Sequence, residues 1–274
     1  MPELPEVETI VRDLRPHLRD RRVEAVLSLN PVVLRFPSAE SFRATAEGTV
    51  FGLLTRRGKF IHAPVSGGDH LVVHLGMTGT LTLEEEGEPV RPHTHLRLQL
   101  ESGQELRYRD PRRFGRVLLG PPRQLEFARL LPSLGPDPLD RAFAGWPGEG
   151  RVTRSSRAVK AVLLDQEVVA GCGNIYADEA LYLARIRPTR RAASLSAPEW
   201  ARLGAALTVV MKEAIRRRGT SFSDYRDGFG ARGQAYESLM VYGRAGLPCV
   251  RCGRPLAAQR IAGRTTVYCR WCQR

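Results

Sequence analysis

The sequence predicts a multidomain α+β protein: an antiparallel β-sandwich with flanking helices, then a helical region, then a small module built on four cysteines. Three observations carry this prediction. Apolar residues recur at helical spacing over 5–19, and short apolar or alternating runs fill 23–120. The period then returns to helical beyond about 150, before two Cys-x-x-Cys pairs near the end, Cys249/Cys252 and Cys269/Cys272, separated by 16 residues. At 274 residues and 42% hydrophobic content, the chain has material for two domains and a sizeable core.

In the first helix, Val7, Ile10, Val11, Leu14 and Leu18 share one face. Pro5 suits the first helical position, and Glu6 and Glu8 suit the first turn. Strands are expected at Val50–Thr55, Phe60–Val65, Leu71–Leu75 and Thr80–Leu83. Leu96, Leu98 and Leu100 alternate with polar residues, Ser102-Gly103 turns the chain, and Leu106 and Tyr108 resume the alternation, which is a hairpin pattern. Residues 121–150 are rich in Pro and Gly and read as the region of a linker. Ser155 or Ser156 is placed to cap a helix running to about Asp165, and a second helix is expected from Ile175 to about Ile186. Ser196-Ala197-Pro198-Glu199 opens a third, with Trp200, Leu203, Leu207, Val210 and Ala214 on one side and Arg216–Gly219 as its stop. Residues 219–235 then read as a mobile loop.

Basic residues exceed acidic ones by 42 − 29 = 13, and the excess is uneven: residues 212–274 hold 13 Lys/Arg against 4 Asp/Glu. A polyanionic partner follows, nucleic acid before membrane. No run of 18 apolar residues is present, and the acidic start lacks the apolar stretch of a secretory signal, so the expected compartment is the cytoplasm. In that reducing setting the four cysteines read as ligands of one structural Zn2+ rather than disulfides. Cys172 has no partner at a ligand spacing and reads as a small buried residue.

Candidate chemistry begins at Met1-Pro2-Glu3. With Met1 removed, Pro2 is a secondary amine able to form a cationic iminium, and Glu3 lies one residue away as a proton carrier. The helix end behind them favours the carboxylate and disfavours a charged amine. Only Lys59, Lys160 and Lys212 occur beside 39 arginines. Lysine exchanges a proton when its pKa is shifted and arginine does not, so each lysine is a candidate for specific chemistry. Asn174, behind Gly171-Cys172-Gly173, reads either as a helix N-cap or as a phosphate site at a helix amino end.

Six segments then agree. Met1–Ile10 (MPELPEVETI), Arg57–Phe60 (RGKF), His74–Gly79 (HLGMTG), Asp110–Gly115 (DPRRFG), Gly171–Glu179 (GCGNIYADE) and the four-cysteine module occur in one order along the chain. The chain resembles the bacterial formamidopyrimidine-DNA glycosylase family, which is shared with endonuclease VIII. The resemblance implies an N-terminal catalytic β-sandwich domain over 1–135, a linker over 136–150, a helix-two-turn-helix domain over 151–235 and a zinc finger over 236–274. Duplex DNA containing oxidised bases or abasic sites would lie between the halves, bound by a monomer. The implied activity is excision of a flipped-out oxidised purine, 8-oxoguanine or a formamidopyrimidine, followed by β,δ-elimination of the strand.

The resemblance also assigns residues. Pro2 is similar to the family's nucleophile, Glu3 to its proton donor, Lys59 to its β-elimination lysine and Arg264 to the finger arginine of δ-elimination, read first as a phosphate clamp. His74, His93, Lys160 and Asn174 match phosphate contacts. Met77, Arg112 and Phe114 match the residues that fill the space left by the flipped base, Arg112 facing the opposite cytosine. Residues 219–236 match the lesion-covering loop, with Thr220, Ser221 and Tyr236 as weaker candidates, and Glu6 and Glu179 match acidic positions near the site. Thr78 stands where Ser is more frequent. The alternatives are an endonuclease VIII-like enzyme for oxidised pyrimidines and a non-catalytic zinc-dependent DNA-binding protein.

Overall fold

The computed structural model describes residues 1–127, 131–147, 150, 152–221 and 224–274. The chain forms two compact units, Met1–Pro132 with Arg217–Gln234, and Ser133–Arg216 with Ala235–Arg274.

The first unit opens with helix α1 (Leu4–Leu18). It starts one residue earlier than the spacing predicts, because Glu3 caps it. The Glu3 carboxylate accepts the Glu6 N–H, and Glu6 Oε2 accepts the Glu3 N–H at 2.8 Å. This reciprocal box satisfies two of the donors that a helix start leaves open. The Val7, Ile10, Val11, Leu14 and Leu18 stripe is wholly buried in one core that receives side chains from two sheets. The strands are β1 (Val23–Leu29), β2 (Leu34–Phe36), β3 (Thr55–Arg57), β4 (Phe60–Pro64), β5 (His70–His74), β6 (Thr80–Glu85), β7 (Thr94–Leu100), β8 (Gln104–Arg109) and β9 (Arg116–Gly120). One sheet runs β1-β7-β8-β6 and the other β2-β9-β5-β4-β3. The expected Ser102-Gly103 hairpin forms, with Leu98 opposite Leu106.

Three details depart from the pattern. The β2–β9 pair is parallel, so the sandwich is not wholly antiparallel. A helix, α2 (Ala39–Ala46), interrupts the strand region; Ser38 Oγ caps it through the Ser41 N–H at 3.2 Å, and Phe42 and Ala46 bury its inner face. Val50–Thr55 makes only isolated bridges (Arg22 with Val50, Phe51 with Val65), and the strand starts at Thr55. A short helix, α3 (Pro122–Phe127), follows β9.

In the second unit, the described part of the segment expected as a linker (136–147 and 150) is packed, while residues 148 and 149 lie outside the described residues. A 3₁₀ turn at Arg141–Gly145 buries Phe143, which stacks on Trp146 at 5.1 Å. Trp146 meets Trp200 edge-on at 5.5 Å and donates from its indole to the Val168 carbonyl at 3.0 Å. This aromatic mass outweighs the Pro and Gly content. The helices are α4 (Val159–Leu163), α5 (Asn174–Leu183) and α6 (Ala197–Arg216). Helix α4 is shorter than expected because Ala158 pairs with Arg191 in an extended bridge, and neither Ser155 nor Ser156 is its cap. Helix α6 opens as predicted on Glu199, whose Oε2 accepts the Ser196 N–H at 2.8 Å. The unit ends in a hairpin of β10 (Ala257–Ile261) and β11 (Arg264–Tyr268). Among the described residues, no helix is long and apolar enough to cross a membrane.

Candidate functional site

The first cluster gathers at the α1 amino end. Pro2 is buried and Met1 is half exposed. Glu3 and Glu6 are 3% and 1% exposed, and Lys59 is 6% exposed, so three ionisable groups are out of bulk water. Lys59 is presented by the turn that joins β3 to β4, where Gly58 takes a positive φ. Burial pulls the pKa of the Met1 amine below its ordinary value; the fields of Glu3 and Glu6 oppose this and that of Lys59 adds to it. The Met1 amine is therefore biased toward its neutral form.

Glu6 has a second partner. Its Oε1 accepts the Thr220 N–H at 2.8 Å, so one carboxylate holds both the Glu3 backbone and the 219–236 segment. The described part of that segment holds an isolated Thr220–Gln234 bridge and the first residues of a 3₁₀ turn (Ala235–Ser238), and side chains pin the rest. Arg218 bridges Asp13 (2.7 Å) and Asp227 (2.5 Å), and Asp227 Oδ1 accepts the Phe229 and Ala231 N–H groups. Ser221 Oγ donates to the Tyr225 carbonyl and accepts from Gly233 N–H, both at 2.9 Å. The expectation of a mobile loop overlooked these carboxylates, which lie on α1 and within the loop itself; Phe222 and Ser223 fall outside the described residues.

A second cluster surrounds Asp110, which is fully buried. Its Oδ1 accepts the Thr78 hydroxyl at 2.6 Å, and its Oδ2 accepts Gly115 N–H at 2.8 Å and the Tyr108 hydroxyl at 3.3 Å. The Arg112 N–H lies 3.3 Å from Oδ1. Asp110 thus ties the Gly76–Gly79 turn to the Pro111–Phe114 turn. Gly76 deepens the contact, since a Cβ there would come within 2.5 Å of Gly115 N. Each turn holds out an apolar side chain: Met77 is 37% exposed and Phe114 53% exposed, with the Arg112 guanidinium 4.7 Å over the Phe114 ring.

His74, at the end of β5, is held down to a pKa of about 4 by burial and by Lys59 and Arg116. It is neutral at pH 7. Its Nδ1 accepts Gly76 N–H at 3.2 Å, which leaves the proton on Nε2 as a neutral donor. His93 is exposed, with a left-handed backbone, and its carbonyl accepts Asp110 N–H at 3.0 Å.

In the second unit, Asn174 is the first residue of α5 and Gly173 is the cap, one position from the expected boundary. Asn174 Nδ2 donates to the Thr265 carbonyl at 3.0 Å. Arg264 is exposed at the start of β11, immediately after a two-residue turn (Ala262 φ +48°, Gly263 φ +73°). Positive φ at both positions matches the twist of the hairpin and aims the next residue outward.

Two of the expected contacts need correction. Lys160 is completely buried, 2.6 Å from Asp178 Oδ1, and donates to Thr266 Oγ1 at 2.7 Å and toward the Thr265 carbonyl at 3.3 Å. An ammonium enclosed in this way has no surface to offer a phosphate; it braces α4 against α5 and β11. Glu179 is also engaged within the protein: its two oxygens accept the Met240, Val241 and Tyr242 N–H groups at 2.8–2.9 Å, so it organises that turn. Tyr236 belongs to the same unit as Glu179 and is 50% exposed.

The four cysteine sulfurs lie within 4.8 Å of one another, with Cys249–Cys272 at 3.9 Å and Cys252–Cys269 at 3.6 Å. Zinc–sulfur bonds of about 2.3 Å in a tetrahedron require sulfurs about 3.8 Å apart. The site fits one structural Zn2+. The Tyr182 hydroxyl is 3.2 Å from Cys249 Sγ, within hydrogen-bonding reach of that sulfur.

The comparisons match this layout. Residues 1–117 match the formamidopyrimidine-DNA glycosylase N-terminal domain, 134–226 its H2TH domain, and 246–274 a zinc finger found in FPG and IleRS. A formamidopyrimidine-DNA glycosylase from Moorella thermoacetica is 47% identical over 260 residues, covering 95% of each chain. The chain belongs to the formamidopyrimidine-DNA glycosylase family. The MutM (Fpg) crystal structure from Thermus thermophilus is 43% identical, with a TM-score of 0.86 over 99% of this chain and 98% of that one. A Lactococcus lactis Fpg mutant in complex with Fapy-dG-containing DNA is 30% identical, with a TM-score of 0.88 over 99% of each chain.

Within this family frame, the structure brings Pro2, Glu3, Glu6, Lys59, Thr220 and Ser221 into the first unit, with His74, His93, Met77, Arg112 and Phe114. Asn174, Lys160, Arg264, Glu179, Tyr236 and the four cysteines lie in the second. Sequence reasoning named Thr78 without giving it a role, and missed Asp110, Asp178 and the Asp13–Arg218–Asp227 group. Asp110 lies inside the quoted DPRRFG segment and Thr78 inside HLGMTG, but nothing in the local pattern tells that the two side chains meet. Asp178 sits four residues after Asn174, on the same face of α5.

Proposed function

We propose that the protein is a monomeric, cytoplasmic bifunctional DNA glycosylase and abasic-site lyase that excises oxidised purines from duplex DNA. The observation that carries this reading is the amino-terminal cluster, in which Pro2, Glu3 and Lys59 are all buried in the chain's first unit. After Met1 removal, the Pro2 nitrogen attacks the sugar C1′ of the flipped nucleotide. The N-glycosidic bond breaks, the base leaves with the bonding pair and a proton, and the sugar remains as a Pro2 iminium. Glu3 delivers a proton for sugar opening, and Lys59 serves the β-elimination that follows. Glu6 keeps the Glu3 backbone and Thr220 in register, which supports a role in positioning both ends of this site.

Met77 and Phe114 are apolar, exposed and held on turns joined by Asp110, which suits filling the space of an extruded base, with Arg112 presented to the opposite base. His74 donates from Nε2 to a backbone phosphate, and His93, Asn174 and Arg264 supply further contacts. Lys160 acts indirectly, through β11.

Borohydride reduction during turnover of an 8-oxoguanine:cytosine duplex is expected to give a covalent protein–DNA adduct. Pro2→Gly should slow adduct formation while leaving binding to an abasic-site analogue largely intact, and a protein that keeps Met1 should bind without trapping. Trapping by the Met1-retaining protein would place the nucleophile elsewhere. Preferential cutting of a thymine-glycol duplex over 8-oxoguanine would move the protein to oxidised pyrimidines.

A further inference from the structure

Helix α5 meets the zinc module along a single stripe. Asn174, Asp178 and Tyr182 are spaced by four, and residues at i, i+4 and i+8 share a helix face. Asn174 donates to the Thr265 carbonyl at 3.0 Å, and Asp178 Oδ2 accepts the Val267 N–H at 2.9 Å. The third member reaches past the strand to a metal ligand: the Tyr182 hydroxyl is 3.2 Å from Cys249 Sγ.

The hydroxyl is not needed for packing. Tyr182 is 1% exposed in a small core with Val241, Cys249, Leu256, Val267 and Cys269, where a phenylalanine ring would fill the same space. A buried phenol needs a polar partner, and Cys249 Sγ supplies one. A zinc-bound cysteine is a thiolate with no proton to give, so the hydrogen bond runs from phenol to sulfur. Arg251, between the two cysteines of the first knuckle, lays its guanidinium 4.7 Å over the Tyr182 ring. The knuckle is thereby gripped twice by one side chain, at its sulfur and at its arginine.

We propose that Tyr182 is an outer-shell positioning residue of the zinc site, which orients the Cys249 thiolate, withdraws charge from it and ties metal retention to α5. The claim rests on the zinc assignment and is independent of the glycosylase reading. Outer-shell hydrogen bonds of this kind change metal affinity by about 10–100-fold.

The test uses the full-length zinc protein. In competition with a chromophoric chelator, Tyr182→Phe is expected to lose zinc about tenfold more readily than the unsubstituted protein, with unchanged circular dichroism. After replacement of zinc by cobalt, the thiolate-to-metal charge-transfer band of Tyr182→Phe should move to longer wavelength, because a thiolate without its hydrogen bond is easier to oxidise. A purely packing role would leave that band in place. Identical chelator curves and an unmoved band would overturn the proposal. A second measurement needs no variant: in the unsubstituted protein loaded with NMR-active cadmium, a through-bond coupling between the Tyr182 hydroxyl proton and the metal is expected, and its absence also overturns the assignment.

Discussion

Replacing Asp110 should separate the fold of the first unit from its grip on DNA. The carboxylate is fully buried and takes two short hydrogen bonds, from Thr78 Oγ1 at 2.6 Å and from Gly115 N–H at 2.8 Å, plus two longer ones at 3.3 Å, from the Tyr108 hydroxyl and the Arg112 N–H. Asp110→Ala removes every acceptor. The two hydroxyls can rotate toward other partners, but the Gly115 N–H cannot. Hydrogen bonds to a charged group contribute about 1.5–3 kcal/mol each, and a stranded buried donor costs about 1–3 kcal/mol. These terms share one site and do not add fully, so a total of about 3–5 kcal/mol is expected. Asp110→Asn keeps one oxygen for Gly115 and turns its amide toward the Thr78 hydroxyl, which can accept, so its cost is about 1–2 kcal/mol. Urea unfolding measures both. Insertion of Met77 and Phe114 is read by a fluorescent adenine analogue placed beside an abasic-site analogue in the duplex. Stability and insertion should both fall in the order wild type, Asn, Ala. An Ala variant within about 0.5 kcal/mol of wild type, with full insertion, would refute the view that Asp110 joins the two turns.

Three further outcomes follow from the same contacts. His62 and His74 are both held to pKa values of about 4 against an ordinary 6.5, mainly by burial, so between those limits the unfolded chain binds more protons than the folded one. The folded state therefore keeps its full stability from these groups above pH 6.5 and loses it as pH falls toward 4; urea midpoints at pH 7.5, 5.5 and 4.5 should decline, and less steeply in His74→Gln. Lys160→Met leaves Asp178 buried without its ion partner and should cost about 3–5 kcal/mol, whereas Lys160→Met with Asp178→Leu should recover much of that loss in thermal melts. Removing zinc with a chelator should unfold the 246–274 module and abolish DNA binding, seen as loss of β-hairpin amide signals before any change in the first unit.

Local pattern made several elements legible. The α1 stripe, the Leu98–Leu106 hairpin and the two cysteine knuckles depend on spacing along the chain, and spacing is what a sequence displays. Elements decided by partners far away were not legible. The parallel β2–β9 pair joins residues 34–36 to 116–120, and the supposed linker is packed because Trp146 finds Phe143, Trp200 and the Val168 carbonyl. The 219–236 loop reads as open chain until Asp13 and Glu6, more than two hundred residues earlier, are seen to hold it.

Residue types mark Pro2, Glu3, Lys59 and the zinc cysteines as candidates, and the family resemblance gives the first three their roles, because nucleophile, proton carrier and soft ligand are properties of single side chains. Whether a nominated side chain is free to act is a property of its surroundings, and only the tertiary structure decided that. Lys160, one of only three lysines, and Glu179, an acidic position matched through the resemblance, were both nominated from the sequence. In the fold their charges are consumed by Asp178 and by three backbone N–H groups, since a buried charge must be satisfied locally. Asp110 carried no signal of its own, and it joins the two turns that present Met77 and Phe114, because burial turns an ordinary carboxylate into a strong acceptor for any donor the chain brings to it.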